Sequence, residues 1–108
     1  MSMEKFMDSM DALFEQYKKD GMMDRYHRDG HFFTVGKRDS AYMWSALDGA
    51  VHLWNALHGK EDALCLDSYR STEVTDTYMI QCIVDVDLDE KEKLMRDILA
   101  GRWEDLHI

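Results

Sequence analysis

Met3, Phe6, Met7, Met10, Leu13, Phe14 and Tyr17 recur at spacings of three and four. On a helix of about 3.6 residues per turn that spacing gathers all seven side chains on one face, so the chain is predicted to open with an amphipathic helix. Ser2 can cap its start, Lys18 and Lys19 suit the negative end of its dipole, and Gly21 can stop it. The stripe is rich in methionine and aromatics, which suits either a core face or an adaptable binding face.

The periodicity then shortens. Over residues 22–36, Tyr26, Phe32, Phe33, Thr34 and Val35 favour the extended state, and Asp29-Gly30 is a dipeptide typical of two-residue hairpin turns. A β-hairpin is expected here, the alternative being a first helix that runs on through Arg28. A second helix is predicted from about Ser40 to His58, capped by Asp39 or Ser40 and ended by Gly59. Tyr42, Met43, Ala46, Leu47, Ala50, Val51, Leu53, Trp54 and Leu57 wrap more than half its circumference, which predicts a helix covered on two sides. Beyond Lys60, Leu64, Cys65 and Leu66 suggest a short strand. Residues 74–86 alternate, with Val74, Tyr78, Ile80, Cys82, Val84 and Val86 on one side and Thr75, Thr77, Gln81 and Asp85 on the other. That is a strand with one buried and one wet face. Asp87-x-x-Glu90 resembles a capping box for a third helix that turns Leu94, Met95, Ile98 and Leu99 inward and stops at Gly101. Trp103, Leu106 and Ile108 are apolar enough to dock. The order of these elements predicts a single α+β domain over residues 1–108, an antiparallel sheet of about four strands with about three helices packed on it.

Composition narrows the setting. With 108 residues, 45% hydrophobic and 32% charged, the chain suits one ordinary globular core. Cys65 and Cys82 lack the CxxC spacing, as expected of free thiols in a reducing compartment, one disulfide being the alternative. Glu4, Lys5 and Asp8 interrupt the N-terminus where a signal peptide needs an apolar core, and no apolar run approaches the ~20 residues of a membrane span. A cytoplasmic location is the expectation.

The net charge of −9 is unevenly placed: −1 over residues 1–60 and −8 over residues 61–108. The acidic half should repel nucleic acid and anionic membranes and attract basic protein surfaces. Its candidate contacts are Glu73, Asp76, Asp85, Asp87, Asp89, Glu90 and Glu92. Against this runs one basic, aromatic segment holding Arg25, Tyr26, His27, Arg28, His31, Phe33, Lys37 and Arg38. Cations beside flat rings suit a nucleotide or another small anion, yet Gly30 and Gly36 fit no phosphate-loop pattern. The competing reading puts half the rings in the core and pairs the bases with Asp20, Asp24 and Asp39.

Little else suggests chemistry. Ser45, Asp48, His52 and Asn55 share one stripe of the second helix, where Asp48 could orient His52 as a general base, but no nucleophile or second ligand pair accompanies them. His27 and His31 would have to meet across the hairpin turn to share a metal. Asp85-x-Asp87-x-Asp89 has the opening of a calcium loop, but Glu90 stands where glycine is needed and Arg96 where the bidentate acid belongs. No cofactor is expected. Three functions follow: an acidic, non-enzymatic protein that binds and inhibits a partner with a basic surface of the nucleic-acid-binding type; a binder of a nucleotide or small anion through residues 25–38, across an oligomer interface; and a small hydrolase using Asp48 and His52. The first has the general character of small accessory inhibitors carried by phages and mobile elements. A homodimer through a strand edge or the methionine face would suit either binding reading.

Overall fold

A computed structural model of the chain describes residues 2–58, 63–70 and 73–82. It is an α+β arrangement with a four-stranded antiparallel sheet. Helix α1 spans Ser2–Lys19 and buries Phe6, Met7, Met10 and Phe14, with Met3 and Tyr17 partly covered. Leu13, on the edge of the stripe, stays 36% exposed. Gly21 ends the helix at φ 75°: its N–H reaches Lys18 O at 3.2 Å and the Met22 N–H reaches Tyr17 O at 2.9 Å. These two bonds form a Schellman cap, and the left-handed position favours glycine.

Strands β1 (Tyr26–Asp29) and β2 (Phe32–Gly36) form the expected hairpin, so α1 does not run on through Arg28. The turn lies one residue later than the dipeptide suggests. Asp29 still pairs with Phe32, and the two connecting residues are Gly30 and His31. Only Gly30 has a positive φ, 58°, matching the turn type that places glycine first.

A short 3-10 turn, Lys37–Asp39, leads into α2, Ser40–His58, at the expected bounds. Asp39 does not cap it. Its buried carboxylate accepts the Asp24 N–H at 2.9 Å, tying the hairpin entry to the helix entry. Nor is α2 covered on two sides: Met43, Leu47 and Val51 are buried, whereas Tyr42, Trp44, Leu53 and Leu57 remain 46–71% exposed. A sheet supplies one flat surface, so only one stripe of an apolar helix can face it.

Strands β3 (Leu64–Arg70) and β4 (Thr75–Cys82) complete the sheet in the order β1-β2-β4-β3. β3 is longer than the apolar trio Leu64–Leu66 suggested, because pairing with β4 carries it through Arg70. Helices α1 and α2 pack on one face, over Phe33, Val35, Leu64, Tyr78 and Ile80. Phe14 sits at the centre, edge-on to Phe33 with ring centres 5.2 Å apart, and Phe6 meets Trp54 edge-on at 5.8 Å. Asn55, expected on a solvated stripe, instead binds the Leu64 backbone in both directions, at 2.7 and 2.9 Å, and so fixes α2 to β3.

Two further expectations change. The described residues hold two α-helices rather than about three, and the expected third helix, like residues 83–86 of the last strand, lies outside the described residues. The face of β4 expected to be wet is not: Thr75 and Thr77 are both 0% exposed, and Ile80 on the opposite face is buried too, at 1%. A period-two pattern of threonines and valines separates the faces without revealing what lies on each.

Candidate functional site

The basic segment is where the sequence pointed, and the fold divides it. Tyr26 and Arg28 point from β1 toward α1, the first with its ring 5.5 Å from that of Phe14. Phe33 is fully buried in the core. His27 falls on the opposite face of the sheet, beside Thr34. The segment therefore does not present its rings on one surface.

Its charges meet a row of acids that the sequence reading overlooked. Glu4, Asp8, Asp11 and Glu15 are spaced four, three and four apart on α1, a spacing that aligns them along one stripe. The stripe borders the apolar face, so β1 can pack beside it. Arg28 reaches Asp8 at 3.0 Å, Asp11 at 3.5 Å and Glu4 at 3.8 Å, and His31 reaches Glu4 at 3.1 Å. Burial works against the Arg28 charge, but Asp8 and Asp11 raise its pKa above the ordinary value. The Tyr26 hydroxyl donates to Asp11 and lies 3.0 Å from Glu15. Burial, first, and then these two carboxylates push its pKa well above that of a free tyrosine. The row was legible: four acids at helical spacing beside an apolar stripe are a visible pattern.

Two other cations of the segment are also matched. Arg38 pairs with Asp24, and Lys37 pairs with Asp76. The Asp76 carboxylate also accepts the Ser40 hydroxyl at 2.7 Å, and Tyr78 closes the cluster by bonding to both the hydroxyl and the carbonyl of Ser40, the latter at 3.1 Å. Tyr78 titrates high, chiefly because it is buried; the Ser40 hydrogen bond lowers its pKa and the Asp76 charge raises it. This cluster sits beside an open cleft of about 380 Å³ lined by Lys37, Ser68, Tyr69, Asp76 and Tyr78. Its polar atoms satisfy one another and tie the start of α2 to β4. Of the expected partner contacts, Asp76 is thus held inside the fold while Glu73 is exposed. Asp85, Asp87, Asp89, Glu90 and Glu92 lie outside the described residues.

Asp48 and His52 do meet, but loosely. The ring Nδ1 lies 2.8 Å from the Asp48 carbonyl and 3.6 Å from its carboxylate, and the His52 side chain is 76% exposed. Ser45 is exposed on the same helix. Among the described residues no three His, Cys, Asp or Glu side chains gather to hold a metal, and Cys65 and Cys82 are free thiols. No helix of the described residues is long and apolar enough to cross a membrane. The class defined by this architecture is a small α+β domain with an acidic helix ridge and internally matched cations. Comparison with protein-family models, with curated proteins and with solved structures finds no match to this chain.

Proposed function

We propose that the chain is a non-enzymatic binding protein whose acidic surface engages, and so blocks, a basic protein surface of the kind that otherwise holds nucleic acid. The observation that carries this reading is the matching of cations. Arg28, Lys37 and Arg38, the charges that would draw an anionic ligand to residues 25–38, already face carboxylates of the same chain. The acids outnumber the cations they face and keep much of their surface turned outward even where paired. Glu4, Asp8 and Glu15 have side chains 54–73% exposed, and residues 61–108 carry −8. Such a surface speeds encounter with a basic partner and repels nucleic acid itself.

The nucleotide alternative would have to do without Phe33, which lies in the core. The hydrolase alternative rests on a loose Asp48–His52 contact of 3.6 Å in which the His52 side chain is 76% exposed. The test is affinity capture with the tagged chain at low ionic strength. The expected captives are basic nucleic-acid-binding proteins, released by salt and by heparin, and lost by a Glu4→Gln/Asp8→Asn/Glu15→Gln/Glu73→Gln variant. Captives that are not basic, or that survive high salt and heparin, contradict the proposal.

A further inference from the structure

Three large apolar side chains on one side of α2 stand open: Tyr42 is 47% exposed, Leu53 62% and Leu57 71%. Ala46, Gly49 and Ala50 lie between them at helical spacing, so the six residues form one continuous stripe. α1 runs beside it. The Tyr17 ring lies 6.1 Å from that of Tyr42, and Phe6 meets Trp54. Leu13, spaced seven from Phe6 and four from Tyr17, is on the same side of α1 and is 36% exposed. An open apolar face of this kind marks a contact surface. Gly49 sits at its centre. A glycine inside a helix weakens the helix, and among the described residues no atom lies within 4 Å of where a Cβ at this position would sit. Packing among those residues gives no reason for the glycine, whereas the close approach of a second backbone does.

We infer that α2 pairs with the α2 of a second copy of this chain, antiparallel across a two-fold axis at Gly49 and Ala50. Charge selects the occupant. Among its 19 residues α2 holds one Asp, Glu, Lys or Arg, and that residue, Asp48, lies beside His52 on the flank away from the stripe. Two copies of a chain with net charge −9 repel each other through their acidic faces but can meet through this neutral one. A basic partner is drawn to the acids instead. The size pattern is also self-complementary, as a two-fold interface requires. With the axis at the middle of the stripe, Tyr42 meets Leu57, Ala46 meets Leu53 and Gly49 meets Ala50, each pair formed twice. The small residues at the centre let the helices come close, and the large ones close over the ends. The face is about 28 Å long and two helices wide, roughly 20 Å. That is somewhat less than the ~800 Å² each partner gives a stable interface, so the dimer dissociates on dilution. Glu4, Asp8 and Glu15 lie on the side of α1 turned to β1, where they meet Arg28 and Tyr26, and pairing through α2 leaves them exposed.

Sedimentation equilibrium of the full chain tests the pairing. The mass should rise from that of one chain at low micromolar concentration toward twice that value at high micromolar concentration. Gly49→Arg should stay at the mass of one chain throughout, with an unchanged circular dichroism spectrum, because the space around this position is open within the fold and filled only in the dimer. Leu53→Asp should do the same. A chain that stays monomeric at every concentration overturns the inference, and so does a dimer that survives both substitutions. Cross-linking reads the register in a Cys65→Ser/Cys82→Ser background. Ala46→Cys and Leu53→Cys chains should form a disulfide when mixed, whereas each alone should not, since like positions would stand about seven residues, roughly 10 Å, apart along the helices. Chains that cross-link as readily alone as mixed overturn the antiparallel pairing. Should Gly49→Arg fail to fold, the mass of the unaltered chain and the mixed cross-link still decide.

Discussion

Arg28→Met removes one positive charge from β1 and leaves most of the side chain's apolar bulk in place. Arg28 is 21% exposed and faces three carboxylates of α1, at 3.0, 3.5 and 3.8 Å. Those acids are more than a third exposed, so each pair is worth only about 0.2–1 kcal/mol. Without the guanidinium, the like charges of Glu4, Asp8, Asp11 and Glu15 also face one another at three- and four-residue spacing, at about 0.2–0.5 kcal/mol for each close pair. The two contributions together predict a loss of about 1–2 kcal/mol at low salt, or roughly 5–10 °C in Tm for a domain of this size. Urea unfolding at low and at high salt measures it. The loss should shrink at high salt, because the groups are exposed enough to be screened. A double cycle with Asp8→Asn should show coupling below about 1 kcal/mol. A loss that is the same at every ionic strength would refute the electrostatic account and mean that the stem of Arg28, not its charge, holds β1 to α1.

Other perturbations follow from the same geometry. Thr34→Val or Thr77→Val alone strands a buried hydroxyl and should cost about 1–3 kcal/mol, whereas the double variant should cost less than either, read by urea midpoint. The raised Tyr26 pKa favours the neutral hydroxyl in the folded state. Its contribution is therefore full below the unfolded value near 10 and declines as pH rises through the higher folded value, at about 1.4 kcal/mol per pH unit for one group. Tyr26→Phe should flatten the alkaline limb of the stability profile, leaving the part that comes from Tyr78, whose pKa is also raised. His52→Ala should change stability by less than about 0.5 kcal/mol, since that side chain is 76% exposed and, among the described residues, bonds within its own helix.

The helices were the most legible part of the sequence. Met3 to Tyr17 gave the face of α1, and Ser40 to His58 gave α2 within its observed bounds, because helical spacing is a property of the sequence itself. What covers each face was less legible. The apolar wrap of α2 promised two partners where the sheet supplies one, and Thr75 and Thr77 looked wet because threonine is common on open sheet faces and on covered ones alike. The hairpin was visible from its residue types, but its register was not: pairing placed Gly30 and His31, rather than Asp29 and Gly30, in the turn. In the candidate site, Arg28 and Lys37 were visible as charges. Their partners Asp8, Asp11 and Asp76 were not, because 17 to 39 residues separate each pair in sequence. The row Glu4–Asp8–Asp11–Glu15 could have been found by the same spacing test that found the apolar stripe beside it.

The most direct test of the acidic-binder account is the salt dependence of the dissociation constant for a basic partner recovered by low-salt capture, measured by titration calorimetry. A steep loss of affinity with rising ionic strength, made shallower by neutralising Glu4, Asp8, Glu15 and Glu73, is the predicted result. An affinity that does not change with salt, or that is untouched by neutralising those acids, would contradict it.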